Sequence, residues 1–562
     1  MKTRINKIGL VILTSFILLF GCSKDFLDMN QPGVRTLSQF YKTDDDATAA
    51  IMSCYNMMMA LQASSWTSFW MTKESLSDDI YTGGESSGDR PEYQELNTFT
   101  FGPTNSPITN IYRYIYMTIY RANLIVDNVK GETDYQKGVI AEAKAIRAYM
   151  YFELTTLYGP VPLVLHELLP SQYAQPNSTV EALWAQIEKD LNEAIAVLPL
   201  RSQMEAAGFD KSRFCKGTAQ AFLGKALLFE KKYSQAATAL NTLIASNEYS
   251  LYTLAELGGD YTQLFRKSTE FGKESLFEVS YSSSRINTWS DPFGDNFKDP
   301  SRTNPSNFIW QLCGPRGDQG FNGPTDSIVV SGKKVPNQDS RILGGWGFGY
   351  PTLDIWKAFK DAGDSVRVQA DIMSESQLVA KGGSMRRAGS VAGDYKYMWG
   401  CPGIVRLKYT TWATETNLNA GQPELEYGTN LRIMRYADVL LMASEANLLA
   451  GDVTTATNQI NQVRNRVNLS TLGAVTLDDI KLERRLELAF EGSRYQDLVR
   501  WGDAANVLKD QGKSIPTGII INNVLQFNVN PSSGFKAPKN NLFPIPFNEI
   551  SSNPNVVQNP GY

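Results

Sequence analysis

The chain has very few of the residues on which metal-dependent and nucleophilic enzymes depend. Its 562 residues include one histidine, His166, and five cysteines, no two of which form a Cys-x-x-Cys pair. There is no His-Glu-x-x-His motif either. Zinc chemistry therefore lacks its usual ligands. A Ser-His-Asp mechanism would have to use His166.

The sequence also lacks an excess of basic residues and, after residue 22, any long apolar run. The 54 lysines and arginines stand against 58 acidic residues, for a net charge of −4, which is not the basic footprint of a nucleic-acid-binding protein. No segment after residue 22 reaches the length of a membrane span. The later cysteines are Cys54, Cys215, Cys313 and Cys401. We expect buried thiols, and the alternative in an oxidising compartment is one disulfide between two of them.

The N-terminus is typical of a secreted lipoprotein. Three basic residues come first, Lys2, Arg4 and Lys7. They precede an apolar run over residues 8–20, as in a signal peptide. Leu19 to Cys22 resembles a lipobox, which predicts a signal peptide over residues 1–21 and a lipid anchor on Cys22; a plain signal peptide is the alternative. Ser23 to Asp25 resembles the signal that sends Bacteroidota lipoproteins to the outer face of the outer membrane.

Apolar residues at helical spacing cover most of the first half of the chain. They recur over residues 108–129, 141–159 and 179–199. Two later segments, which start at Ala219 and Ala437, resemble one another and carry small residues at matching positions. Because small residues let paired helices approach closely, this pattern predicts stacked tetratricopeptide-like hairpins interrupted by a large insertion.

The segment from about residue 282 to 430 differs from the rest in composition and periodicity. It is rich in Gly, Pro, Ser, Asn and aromatic residues and has few helical periods. Long irregular segments in folded proteins are commonly functional, because loops carry binding residues on a rigid frame. We therefore expect the ligand-facing half of the molecule here.

Six segments in this order resemble the SusD/RagB family: residues 141–164, 347–359, 435–446, 461–467, 483–502 and 543–562. The resemblance implies a mainly α fold, with tetratricopeptide-like helical hairpins, a large irregular loop-rich insert and a few short strands. It also implies a lipid-anchored outer-membrane protein, facing the cell exterior, that captures a nutrient, usually a glycan, for a SusC-like TonB-dependent transporter. No catalytic activity and no cofactor are implied.

The resemblance and the patterns together predict one domain over residues 22–562. Its parts are a helical scaffold over about 38–270 and 430–510, a loop-rich insert over about 271–430 and an extended C-terminal tail over 511–562. Within the segment 483–502, charges at turn spacing are expected to pair with one another: Arg484, Arg485, Glu487, Glu491 and Arg494.

A carbohydrate site needs flat aromatic faces for the C–H surfaces of sugar rings and polar side chains for the hydroxyls. The loop over residues 64–84 and the insert supply both, and the resemblance implies ligand contacts from these two regions. The candidates from the loop are Trp66, Trp70, Asp78, Asp79 and Tyr81. Those from the insert are Trp289, Trp310, Arg341 and Trp346.

Two alternatives stay open. The RagB branch of the family implies an oligopeptide ligand, whose site would depend more on backbone hydrogen bonding than on aromatic platforms. A surface glycosidase needs only two suitably spaced carboxylates, and the many acidic residues do not exclude it.

Overall fold

The structure, a computed structural model, describes residues 40–63, 66–283, 306–330, 332–419 and 421–562. Four predictions concern residues outside these ranges: the signal peptide, the lipidation of Cys22, the export signal over Ser23 to Asp25 and the ligand contact of Trp289.

Helices dominate both ends of the chain. The first group is α1 (Asp44–Gln62), α2 (Phe69–Ser75), α3 (Pro91–Thr98), α4 (Ser106–Asn128), α5 (Asp134–Tyr158), α6 (Val180–Val197), α7 (Lys216–Phe229) and α8 (Tyr233–Ala245). The insert contributes the shorter α9 (Ile309–Cys313), α10 (Leu353–Asp361), α11 (Ser365–Asp371) and α12 (Glu375–Ala380). The last group is α13 (Tyr436–Leu449), α14 (Val453–Arg466), α15 (Leu477–Glu487), α16 (Arg494–Trp501), α17 (Ala504–Val507) and α18 (Phe547–Ser552).

Local signals set the ends of the long helices. At α1, Thr43 and Asp46 form a capping box, in which each side chain accepts a hydrogen bond from the other's backbone N–H. At α4, the side chain of Asn105 accepts from the N–H of Ile108. At the end of α5, Gly159 adopts a φ of 69°, which stops the helix at low steric cost.

The two similar segments form helical hairpins, α7–α8 and α13–α14, that pack against each other through α8 and α13. Side-chain amides connect them, because Asn241 Nδ2 donates to Asn447 Oδ1 at 3.0 Å and Gln459 Nε2 donates to Asn241 Oδ1 at 2.8 Å. The solenoid is therefore continuous in space although the insert interrupts it in sequence. The predicted mainly helical fold class is confirmed.

The strands are short and lie mostly in or beside the insert. They are β1 (Ile80–Tyr81), β2 (Ser275–Val279), β3 (Ser327–Val330), β4 (Lys333–Pro336), β5 (Tyr350–Pro351), β6 (Ile372–Ser374), β7 (Tyr395–Lys396), β8 (Ile404–Arg406), β9 (Leu431–Arg435), β10 (Ser514–Ile521) and β11 (Val524–Val529). All pairs are antiparallel: β1 with β5, β2 with β9, β3 with β4, β6 with β8, and β10 with both β7 and β11. Because β2 lies at the start of the insert and β9 directly follows its end, their pairing closes the insert at its base.

The segment over residues 483–502 joins the insert to the scaffold through buried ion pairs. Glu487 accepts from Arg367 at 3.0 Å, Arg435 at 3.0 Å and Arg466 at 2.6 Å. Arg484 pairs with Asp438 at 2.8 Å. The predicted pairing among the five named charges is thus wrong, because most of their partners come from distant elements that helical spacing does not reveal. Within the segment, Arg484 does bind Asp497, at 2.9 Å.

The tail beyond residue 511 is less extended than predicted. It contains the β10–β11 hairpin and helix α18, and the insert's β7 pairs with β10. Phe543 and Ile545 reach the hydrophobic core and are fully buried. The C-terminal segment therefore forms part of the body.

Within the described ranges, no helix is both long and apolar enough to cross a bilayer. The four described cysteines are free and buried, as expected for core thiols.

Candidate ligand-binding site

Two partly exposed tryptophans from separate regions meet on the surface. Trp66 lies in the loop between α1 and α2, and Trp346 lies in the glycine-rich segment before β5. Their ring centroids are 5.2 Å apart and their planes are inclined at 41°. The buried ring of Phe308 lies beneath them, 6.4 Å from Trp66 and 6.3 Å from Trp346. The fold thus brings together one aromatic candidate from the loop and one from the insert.

Trp66 is held in an unusual backbone conformation. Its φ is 62°, in the left-handed region that bulky residues seldom adopt. Arg90 donates from Nη2 to the Trp66 carbonyl at 3.0 Å, and the Tyr93 hydroxyl donates to the same oxygen at 3.3 Å. The Arg90 guanidinium also lies 5.5 Å from the centroid of the indole. These contacts fix the direction in which the indole points.

Trp346 is held by close backbone packing. The N–H of Trp346 donates to the Gln311 carbonyl at 2.7 Å. Next to it, a Cβ on Gly345 would lie 2.5 Å from Gly314, so only glycine fits there. A Cβ on Gly83 would lie 2.0 Å from the Gly347 carbonyl, which is the contact between the loop and the insert. The glycines around Trp346 are therefore what lets the two regions meet.

Arg316 connects the same two regions through its charge. Its Nη1 donates to Asp89 Oδ2 and to the Trp346 carbonyl, both at 3.1 Å. Its Nη2 donates to Glu85 at 3.4 Å and to Asp318 at 3.1 Å. The carboxylates of Asp89, Glu85 and Asp318 are therefore paired with this cation. Each of the two tryptophans has its carbonyl bound by one arginine, Arg90 for Trp66 and Arg316 for Trp346.

Trp70 and Trp310 do not belong to this surface. They are only 2% and 1% exposed, and Trp310 stacks on Tyr409 with centroids 4.5 Å apart. Arg406 lies 4.8 Å from the Trp70 ring. The expectation that both present open faces is wrong, because Trp70 is carried inward by α2 and Trp310 by α9.

Asp78 and Asp79 are likewise turned inward. Arg494 forms a two-bond pair with Asp78, at 2.8 and 3.0 Å, and Arg485 donates to Asp79 at 2.9 Å. Burial raises the pKa of Asp78, but Arg494 and Arg485 outweigh it and the net pKa is lowered. Burial raises the pKa of Asp79, and Arg485 offsets only part of the effect. The expected contact of both carboxylates with ligand hydroxyls is therefore replaced by a connection between the loop and helices α15 and α16.

The remaining candidates lie apart from the tryptophan pair. Tyr81 is partly buried in β1 opposite Tyr350, and burial raises the pKa of its hydroxyl to about 12. Arg341 is exposed, and its carbonyl accepts from the N–H of Ala413 at 3.0 Å. No described contact joins either side chain to Trp66 or Trp346.

Sequence reasoning missed Arg90 and Arg316. Both are single basic residues in irregular segments, and neither has a periodic pattern around it. An available signal is the pair of glycine-rich stretches near them, because glycine marks places where two backbones approach closely.

The single histidine is not placed for catalysis with a serine. His166 is exposed and its Nδ1 lies 2.8 Å from Asp127 Oδ1. Residues 84–88 match the letters of the Gly-x-Ser-x-Gly motif, but Ser86 lies in an exposed bend rather than a strand-to-helix elbow. In the described ranges no group of His, Cys, Asp and Glu is arranged to hold a metal ion.

Comparison with known families decides the identity. The sequence model described as "SusD family" matches residues 273–562, which is more than half of the chain. The chain belongs to the SusD family. A second model, described as "starch-binding associating with outer membrane", matches residues 25–228. The family resemblance found in the six sequence segments is thereby confirmed.

Individual SusD-family proteins match over nearly the whole chain. SusD-like protein P38 of Formosa agariphila is 26% identical over 581 residues, which cover 99% of this chain and 98% of that protein. Among solved structures, a laminarin-binding SusD-like protein is 30% identical and has a TM-score of 0.75. The match covers 93% of this chain and 100% of that chain. Surface glycan-binding protein A from Bacteroides thetaiotaomicron, in complex with laminarihexaose, has a TM-score of 0.71 at 22% identity, with 92% of this chain and 99% of that chain covered.

Proposed function

We propose that this chain is a non-catalytic lipoprotein of the outer cell surface that captures glycans and delivers them to a SusC-like TonB-dependent transporter. The observation that carries the proposal is the pair formed by Trp66 and Trp346. Two partly exposed indoles, each fixed by its backbone and by an arginine, give a preorganised surface for sugar rings. Membership of the SusD family supports the partner and the lipid anchor on Cys22.

Similar proteins support a glucan as the ligand. The 30%-identical structure is named as laminarin-binding, and the N-terminal family description names starch and the outer membrane. The 41° between the indole planes suits a chain that curves, as laminarin and starch do. A flat chain such as cellulose would contact one ring at a time. We therefore expect the chain to bind curved glucans more tightly than cellulose oligosaccharides.

The first test removes both rings, with Trp66→Ala and Trp346→Ala combined. An aromatic contact contributes about 0.5–1.5 kcal/mol beyond area burial, so the loss of both predicts roughly 5- to 150-fold weaker binding. Isothermal titration calorimetry with laminarihexaose and maltohexaose measures the change. Trp184→Ala, a partly buried tryptophan on α6, is the matched control and should leave the affinity unchanged.

The same experiment separates the proposal from its alternatives. If the double variant binds as tightly as the wild type, the tryptophan pair is not the site. If the wild type binds oligopeptides and none of the glycans, the RagB-like alternative replaces the proposal. Release of shorter sugars on prolonged incubation would show a glycosidase. The carboxylates beside the pair do not favour that reaction, since Asp89 is paired with Arg316 and Glu92 with Arg90.

A further inference from the structure

Away from the tryptophan pair, a pocket of about 340 Å³ has four tyrosines among its lining residues. It lies between α4, the segment that follows α5 and the start of α18. Its principal lining residues are Tyr112, Arg113, Tyr116, Tyr120, Tyr173 and Glu549. None of them was among the candidates from the sequence.

Three of the tyrosines follow one another at four-residue intervals on α4, and so share one face of the helix. The rings of Tyr112 and Tyr116 are 4.8 Å apart, and the Tyr116 hydroxyl donates to the Pro162 carbonyl at 2.7 Å. Tyr120 is 48% exposed, and Tyr173, from the facing segment, is 64% exposed. Fixed rings thus form the floor of the pocket, and exposed rings stand at its rim.

The walls of the pocket are tied together by asparagine side chains. Asn553 Nδ2 donates to the Gln175 carbonyl at 2.8 Å, and Asn555 Nδ2 donates to the Ala174 carbonyl at 2.7 Å. Asn177 Nδ2 donates to the Val557 carbonyl at 3.0 Å. The C-terminal segment therefore fixes the backbone that directly follows Tyr173, and the pocket exists before any ligand arrives.

Polar groups accompany the rings. Arg113 is exposed on α4, and Glu549 on α18 is partly buried, which raises the pKa of its carboxyl. Cation, carboxyl and amide groups beside flat rings are the combination that sugar hydroxyls and C–H faces require. A purely apolar protein contact would have no use for them.

The pocket also lies on a path from the tryptophan pair. Asn110 Nδ2 donates to Thr67 Oγ1 at 3.0 Å, which places the first turn of α4 beside Trp66. Asn110 lines a smaller pocket of about 190 Å³ together with Thr109 and Phe547. From Asn110 to Tyr120 the helix rises about 15 Å. A glycan of several sugars can therefore follow α4 from one aromatic surface to the other.

We infer that the tyrosine pocket is an outer subsite that binds further sugars of a long glycan whose other part occupies the Trp66–Trp346 surface. The inference rests on the proposed function. It assigns the preference for chain length to Tyr120 and Tyr173, and it makes the short-chain affinity independent of them.

The test combines Tyr120→Ala with Tyr173→Ala and compares laminarin with laminaritriose, and starch with maltotriose, as probes. We expect roughly 5- to 150-fold weaker binding of the polymers by affinity electrophoresis and calorimetry, with unchanged binding of the trisaccharides. Tyr120→Phe with Tyr173→Phe should retain the polymer affinity, because it keeps both rings. Phe527→Ala, an exposed aromatic residue on β11, is the matched control and should change neither.

Both tyrosines are exposed at the rim, so the variant should fold as the wild type does, which its melting temperature checks. Equal polymer affinity in variant and wild type would overturn the inference while leaving the proposed function in place. The inference would also be overturned if the variant bound the polymers as the wild type does but no longer bound a membrane protein that the wild type binds. The pocket would then be a protein interface. If the wild type itself binds no glycan, the proposed function fails, and the subsite with it.

Discussion

At the scale of single residues, the buried carboxylates fall into two groups with opposite pKa shifts. Glu487 is surrounded by Arg466, Arg435 and Arg367, which outweigh the effect of its burial and hold its pKa well below the usual range. Glu74 is equally buried, but no side-chain cation pairs with it, and burial raises its pKa to about 7. One of its oxygens accepts from the N–H of Gly492 at 2.5 Å. The same residue type therefore stabilises the fold in one place and costs stability in the other.

This difference predicts the effect of Glu74→Gln as a function of pH. The carboxyl has a folded pKa of about 7 against an ordinary value of 4.5, so its ionisation opposes folding progressively as the pH rises through that window. Glutamine mimics the protonated form and keeps an acceptor for Gly492. We expect the free energy of unfolding of the variant to equal that of the wild type at pH 4 and to be higher at pH 8, by at most about 3 kcal/mol. Urea unfolding at the two pH values measures this.

Glu487→Gln is the control with the opposite sign. Because the folded pKa is lowered, ionised Glu487 stabilises the fold at neutral pH, and this contribution is lost as the pH falls below the unfolded value. Breaking its buried pairs should cost roughly 3–5 kcal/mol at pH 8, with a smaller difference from the wild type in acid. If Glu74→Gln is less stable than the wild type at pH 8, the assignment of an uncompensated charge to Glu74 is wrong.

At the scale of elements, helix pairs depend on small residues at their contact. Ala226 and Ala236 in the first hairpin and Ala446 and Ala456 in the second are fully buried, at the matching positions that the sequence alignment suggested. Gly224 is more restrictive. A Cβ at this position would lie 2.4 Å from both Cγ and Cδ2 of Leu240 on α8, so the α7–α8 distance is set by the absence of a side chain.

Gly224→Ala should therefore destabilise the protein, although alanine favours a helix by about 1 kcal/mol. We expect a net loss of roughly 1–3 kcal/mol from overpacking, measured by urea unfolding. Leu240→Ala removes the clashing atoms and leaves a cavity of its own. The double variant should thus be more stable than the sum of the two single losses. Additive losses would contradict the role of this contact.

At the scale of the whole molecule, distant segments are joined by charge as well as by hydrophobic packing. The pairing of β2 with β9 closes the insert at its base. Glu487 forms ion pairs with Arg367 from α11, Arg435 from β9 and Arg466 from α14. Such a body holds its aromatic surface rigid relative to the helices. Rigidity suits the proposed role of presenting a captured glycan to a transporter, because less entropy is lost on each binding event.

The proposed attachment to the membrane is a property of the whole molecule too. Cys22→Ala should move the protein from the membrane fraction to the soluble fraction, because a multiply acylated cysteine anchors firmly and the described helices include none that could replace it. Fractionation and immunoblotting measure the shift. Cys54→Ala, which changes a buried thiol, is the control and should stay with the membrane. Retention of Cys22→Ala would refute the lipid anchor.

Much of the fold was predictable because local sequence patterns indicate its helices. The helical periods over residues 108–129, 141–159 and 179–199 correspond to α4, α5 and α6, since burying one face of a helix requires apolar residues at fixed spacing. The candidate site was predictable only in part. Trp66 and Trp346 were named among nine residues, whereas Arg90, Arg316 and the tyrosines along α4 were missed, because their local patterns do not show which distant segments they meet.

The sequence by itself determined the helical elements, the kinship with the SusD family and the supply of tryptophans in irregular segments. Only the tertiary structure decided which of those rings reach the surface. Trp66 and Trp70 are four residues apart, yet one is partly exposed and the other is buried between Trp310 and Arg406. The physical reason is that exposure depends on which distant segments pack over a side chain, and no local pattern contains those contacts.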